Sequence, residues 1–160
     1  GARPGYRVWR YGVSHSRSFA NDWQLRMAFN GQATRDRLVA GEQFGIGGID
    51  SVRGFLEREV RGDQGYRGTV EGHSPELAGL TERLSGHKLR GVLFYDWGRA
   101  SRTDPSHPER QSIAAAGFGL RLSGGSNLSI RLDYALVLDQ GGQQGRGDGR
   151  VHLTLSYRCC

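Results

Sequence analysis

The sequence has few of the residue types and segments that define several common protein classes. Proline occurs 4 times, lysine once, and the only two cysteines are the adjacent residues Cys159 and Cys160. There is no run of roughly eighteen apolar residues, which excludes a transmembrane helix. Adjacent cysteines bridge each other only under strain, and no His or Cys set has metal-site spacing. We therefore expect no membrane-spanning helix, no disulfide framework, no metal and no cofactor.

Glycine is abundant instead, at 26 of 160 residues, and the hydrophobic share is only 36%. Glycine without proline, among spaced aromatic residues, indicates either disorder or β-structure. Alternation of apolar and polar residues decides for β-structure. On one clear segment, Leu128, Ile130 and Leu132 alternate with Ser129, Arg131 and Asp133. Six such segments predict antiparallel strands, and a weaker seventh has Tyr66 and Val70 on its apolar side: 6–17, 22–35, 65–73 (the weaker one), 88–99, 112–123, 127–138 and 150–158.

These segments favour a transmembrane β-barrel over a soluble β-sandwich, which alternates similarly. Most of them run to ten or more residues, whereas soluble strands average about five or six. Their polar faces carry arginine, glycine and serine, as a water-filled lumen would, while aromatic residues on the apolar faces resemble a girdle. The first residues, GARPGYRVWR, lack the apolar stretch of a signal peptide, so we expect either a mature sequence cut from a longer precursor or a fragment.

The net charge of +6 leaves two interpretations open. A basic chain can bind nucleic acid. Here the arginines are spread along the alternating segments rather than clustered, which favours a polar lumen. A soluble basic β-domain that binds nucleic acid is the remote alternative.

Connection lengths predict which side of a membrane each one faces. The short turn 123–126 alternates with the longer connections 101–111 and 139–149, as expected of periplasmic turns and extracellular loops. Counting back from the last strand places the long connection 37–64 on the extracellular side. A connection of that length is usually functional or disordered.

The long connection carries the motifs that identify a family. Gly47-Gly48, then Ser51-Val52-Arg53-Gly54-Phe55, then Gly62-Asp63 and Gly65-Tyr66 resemble the signature of the two-partner secretion transporters, the TpsB proteins. The filamentous haemagglutinin and haemolysin transporters are members, and the outer-membrane assembly barrels belong to the same superfamily. The resemblance covers residues 1–160 as the C-terminal part of a larger barrel. It departs at the end of the chain, where family barrels usually have a terminal aromatic residue and this chain has Tyr157-Arg158-Cys159-Cys160.

The resemblance implies a function for the tetrapeptide Val52-Arg53-Gly54-Phe55. In the family this tetrapeptide lies at the tip of a long extracellular loop that folds back into the barrel. There its arginine contacts an acidic residue of an F-x-D-x-G strand motif. Phe94, Asp96 and Gly98 match that motif, and the alternation places Asp96 on the lumen face. Glu71 matches the acidic position after Gly65-Tyr66 and is a second candidate partner of Arg53. Gly47, Gly48 and Gly54 would permit turns and a close approach to the wall.

Without the resemblance, Arg53 is more simply a solvated loop arginine and Asp96 an ordinary lumen carboxylate. Asp63, Asp96 and Glu71 could form a catalytic acid set, and Ser51 with His73 a hydrolase pair, but no supporting motif accompanies either. We therefore expect no enzymatic activity.

The resemblance implies a Gram-negative outer-membrane translocator that exports a large partner protein, an adhesin or a haemolysin, without nucleotide or cofactor. Upstream strands and periplasmic polypeptide-transport-associated (POTRA) domains would lie outside this sequence. Seven strands are too few to close such a barrel, so we expect them to pair in the lipid membrane with further strands or with another chain. A barrel that inserts other outer-membrane proteins is the alternative function.

Overall fold

The computed structural model describes residues 5–77, 87–103, 109–124, 127–139 and 141–158. Strands are the regular elements of this part of the chain, which holds no helix long and apolar enough to cross a membrane. Their bounds are β1 (Val8–Ser18), β2 (Gln24–Thr34), β3 (Phe44–Ile46), β4 (Val60–Gly62), β5 (Gln64–His73), β6 (His87–Ser101), β7 (Arg110–Gly124), β8 (Leu128–Asp139) and β9 (Gly149–Tyr157).

Seven of these strands form one antiparallel sheet in the order β1-β2-β5-β6-β7-β8-β9. All seven predicted segments are strands, including the weak one, and the predicted all-β fold is confirmed. Strands β6 and β7 extend further than predicted, to Ser101 and from Arg110, so their connection is shorter than 101–111. The turn 123–126 falls partly, and Cys159 and Cys160 fall wholly, outside the described residues.

The two faces of the sheet differ in chemistry, as the alternation predicts. On the outer face the apolar side chains are largely uncovered; Leu93 and Leu153 are each 67% exposed and Phe118 is 58% exposed. On the inner face, Phe94, Asp96 and Asp133 are buried. These inner-face residues are buried because the long connection between β2 and β5 folds onto this part of the face.

The long connection, residues 37–64, has regular structure of its own. The segment contains a short hairpin in which β3 pairs antiparallel with β4, with Phe44 opposite Gly62 and Ile46 opposite Val60. Backbone groups of these two short strands thereby find partners within the loop.

The main hydrophobic core lies between this loop and the sheet rather than between two sheets. The loop contributes Ile46, Val52, Phe55 and Val60, and the sheet contributes Ala100, Ile113, Ala115 and Val137. The small side chains of Ala100 and Ala115 on the sheet leave room for the larger ones of the loop. Burial of the loop's apolar side chains therefore holds it on the inner face.

Candidate functional site

The tip of the long loop presents one charged side chain between two buried apolar ones. Val52 and Phe55 are both fully buried in the core, on either side of Arg53 and Gly54. Gly54 has a φ of 94°, a conformation that disfavours a side chain. A Cβ there would also lie 3.4 Å from Val137 Cγ2. The tetrapeptide thus brings the loop backbone against the inner face of the sheet and points the Arg53 side chain toward that face.

The Arg53 guanidinium binds Asp96 on β6 through two parallel hydrogen bonds. Its Nε donates to Asp96 Oδ2 at 2.6 Å and its Nη2 donates to Asp96 Oδ1 at 2.7 Å. The Arg53 backbone N–H also donates to Asp96 Oδ2, at 3.1 Å. Because Arg53 is 2% exposed and Asp96 is 0% exposed, this contact is largely removed from water. Buried fork-to-carboxylate contacts of this kind are both strong and geometrically specific.

Each fixed position of the F-x-D-x-G motif serves this contact. Alternate residues of a strand share a face, so Phe94, Asp96 and Gly98 all point inward. The Phe94 ring lies 3.5 Å from Arg53 Cζ, in a cation–π contact. A Cβ at Gly98 would lie 3.2 Å from Ile46 Cδ1, so the glycine leaves room for the loop hairpin. The variable positions, Tyr95 and Trp97, point outward.

Strand β5 supplies a second set of partners. Arg53 Nη1 donates to Glu71 Oε1 at 2.7 Å, and Arg53 Nη2 donates to Thr69 Oγ1 at 3.2 Å. The Thr69 hydroxyl in turn donates to Asp96 Oδ1 at 2.5 Å. Glu71 Oε2 lies 3.0 Å from His73 Nε2. We call Arg53, Asp96 and Glu71 the loop lock.

Strands β7 and β8 extend the loop lock into a network. Asp133 on β8 is fully buried and lies 3.6 Å from Arg53 Nη1. It accepts a hydrogen bond from Arg121 Nη1 and another from Arg131 Nε, both at 2.7 Å. Three guanidiniums therefore meet three carboxylates, which balances the charge that burial would otherwise make costly.

Two further contacts hold the loop from the side of the last strands. Arg131 Nη2 donates to the backbone carbonyl of Ile49 at 3.1 Å. The backbone N–H of Gly54 donates to His152 Nε2 on β9 at 3.1 Å. The loop tip therefore contacts side chains of β5, β6, β8 and β9.

The structure brings together most, but not all, of the residues singled out in the sequence. Tyr66 points to the outer face and stacks on Phe29 at 5.9 Å between ring centroids, so it lies on the side of the sheet opposite the loop. Gly65 lies under the hairpin, where a Cβ would be 2.8 Å from Phe44 Cδ1. Ser51 Oγ accepts from Gly47 N at 3.2 Å and has no contact with His73, which faces Glu71.

Sequence reasoning missed Thr69, Arg121, Arg131, Asp133 and His152. The signal for Arg131 and Asp133 was present, because both fall on the predicted polar face of β8. What was missing was the strand register, which places Asp133 opposite Gly119 and His152. Gly119 has no side chain, which leaves space for the Asp133 carboxylate beside it.

The arrangement can hold the loop on the sheet, and it does so through ion pairs and hydrogen bonds. Burial alone would lower the pKa of the Arg53 guanidinium, but Asp96 and Glu71 raise that pKa above its ordinary value, so Arg53 stays cationic. No group of three or more metal-binding side chains is present among the described residues.

Comparison with known proteins gives the family. A family model described as haemolysin secretion/activation protein ShlB/FhaC/HecB matches residues 2–122. No curated protein matches the sequence. Among solved structures, CdiB from Escherichia coli is similar, with a TM-score of 0.76 and 23% identity over 95% of this chain and 27% of CdiB. That likeness shows the fold, and the chain spans well under two thirds of CdiB. Because the family model matches more than half of the chain, the chain belongs to the ShlB/FhaC/HecB family of haemolysin secretion/activation proteins, the two-partner secretion transporters.

Proposed function

We propose that this chain is the C-terminal part of an outer-membrane barrel that exports a partner protein, an adhesin or a haemolysin, by two-partner secretion. The observation that carries the proposal is the loop lock, a loop arginine bound to Asp96 on the polar face of a sheet whose other face is apolar. Family membership supports the direction of transport. The open edges of β1 and β9 would pair with further strands of the full-length protein.

In this proposal the partner crosses the lumen unfolded, passes the loop and folds outside the cell. No nucleotide is consumed, because folding outside makes export irreversible. The loop lock stabilises the barrel or gates it. Removing one partner of a buried ion pair costs about 3–5 kcal/mol, which is enough to shift a loop from held to released.

The test is Arg53→Ala in the intact transporter, with the exported partner measured in the culture medium. We expect export to fall at least tenfold while the barrel remains inserted, because the expected loss of about 3–5 kcal/mol exceeds the roughly 1.4 kcal/mol that corresponds to a factor of ten. Insertion is followed by the amount of folded transporter in the outer-membrane fraction. Arg61→Ala is the matched control, because Arg61 is an exposed arginine of the same loop; it should export normally.

Undiminished export in the Arg53→Ala strain would remove the gating function proposed for the loop lock. Normal export together with a loss of other folded outer-membrane proteins would support the alternative, an assembly barrel. The abundance of unrelated outer-membrane barrels is therefore measured in the same strains.

A further inference from the structure

A groove lies on the outer face of the sheet, at the end from which the long loop emerges. Its volume is about 590 Å³, and it runs across strands β5 to β8. Side chains that line it include Tyr66, Tyr95, Trp97, Arg99, Ser112 and Ala114. None of these belongs to the loop lock, which occupies the opposite face.

The part of the groove farther from the long loop is apolar. Ala114 forms its floor and is only 8% exposed, because Trp97 on β6 and Asp139 on β8 stand opposite it on either side. The wall on β6 is a stacked pair, Tyr95 and Trp97, with ring centroids 5.7 Å apart.

At the end of the groove nearest the long loop, Arg99 lines the groove and a second arginine, Arg110, lies just beyond the lining residues. Arg99 faces Ser112, and the next outward pair along the same two strands is Ser101 with Arg110. Arg99 and Arg110 are therefore diagonal neighbours on one face, and both side chains are exposed. Within the described part of the chain, neither guanidinium has a hydrogen bond or ion pair. The nearby Asp139 carboxylate accepts a hydrogen bond from Ser112 Oγ at 2.9 Å.

We propose that this groove binds a phosphate-bearing lipid of the outer leaflet, with an acyl chain beside Ala114 and the phosphate between Arg99 and Arg110. The inference rests on the proposed function, which places this end of the sheet at the outer surface of the membrane. A guanidinium fork matches a phosphate, and diagonal like charges are relieved by an anion between them. Aromatic side chains next to a cationic position are also typical of a membrane interface.

The test uses the intact transporter in detergent, incubated with vesicles that contain lipid A or only phosphatidylcholine. Lipid A retained per protein is measured by mass spectrometry after repurification. Removal of one interfacial arginine should lower the retained lipid about fivefold, so both Arg99→Gln and Arg110→Gln should show this loss. Arg17→Gln is the matched control, because Arg17 is an exposed arginine at the opposite end of the sheet; it should retain lipid A as the parent does.

A second variant separates the groove from simple charge attraction. Ala114→Leu fills the floor without changing any charge, and it should also lower retention of lipid A. Equal retention by the parent, Arg99→Gln and Ala114→Leu would overturn the proposal. So would a loss of lipid A on addition of inorganic phosphate alone, which would indicate a site for free anions. Export by the parent and by Arg53→Ala is scored separately, so failure of the lipid site leaves the proposed export function standing.

Discussion

At the scale of single residues, Arg53 uses a property that no other side chain has. All three of its nitrogens donate at once: Nε to Asp96, Nη1 to Glu71, and Nη2 to Asp96 and Thr69. A planar fork makes this possible, whereas an ammonium group is a compact charge on a flexible stem. The position therefore requires the shape of arginine as well as its charge.

Arg53→Lys should consequently weaken the loop lock. Lysine keeps the charge but cannot bind both Asp96 oxygens and Glu71 in the observed arrangement, and we expect the held loop to lose about 1–3 kcal/mol. The measurement is the rate at which a protease added to whole cells cleaves the loop, which should rise. Arg61→Lys serves as the control. Equal cleavage rates for Arg53→Lys and the parent would show that charge alone is sufficient.

The sequence allowed the contacts of the loop tip to be predicted only in part. Asp96 and Glu71 could be named because family motifs mark them and alternation gives the face of Asp96. Asp133 and His152 could not, because their proximity depends on the registers of β7, β8 and β9. A register is set by pairing between distant segments, and neither period nor composition reveals it.

At the scale of elements, the long loop is a structured unit that packs against the sheet rather than a simple connection between two strands. Its hairpin of β3 and β4 covers the wall, and Phe55 is fully buried at the centre of the core that the two share. Strands β3 and β4 have three residues each, too few for alternation to predict them. Six of the seven long strands could be predicted because each spans ten or so residues of clear period two, whereas β5 gave a weaker signal.

Phe55→Ala should loosen the loop without disturbing the sheet. Deleting a buried phenylalanine ring costs about 3–5 kcal/mol, and here the loss falls on the contact between loop and wall. Hydrogen exchange in the intact transporter should speed up at the amides of residues 47–60 and stay slow in β6 and β7. Leu56→Ala, at a neighbouring side chain that is 42% exposed, should change little. Parallel loss of protection in the strands would mean that loop and sheet unfold as one unit.

At the scale of the whole molecule, the inner and outer faces of the sheet are adapted to different surroundings. Leu153 is 67% exposed on the outer face of β9, and Thr154 beside it points inward. In a membrane barrel the outer face meets hydrocarbon and the inner face meets water. Two neighbouring residues should therefore tolerate the same substitution very differently.

Leu153→Arg should impair insertion, whereas Thr154→Arg should not. An arginine on the lipid face costs about 2–4 kcal/mol near the midplane, and on the lumen face it remains hydrated. The amount of folded transporter in the outer-membrane fraction measures the difference. Equal insertion of the two variants would contradict the assignment of faces on which the translocator proposal depends.

The central claim is that Arg53 and Asp96 hold the loop on the inner face of the sheet by binding each other. A double-mutant cycle with Arg53→Ala, Asp96→Ala and the double variant tests it, with the free energy of loop opening taken from hydrogen exchange at residues 50–55 in the intact transporter. We expect a coupling energy of about 2 kcal/mol, because each single variant removes the same contact and leaves a buried charge behind. Additive effects, with a coupling near zero, would contradict the claim.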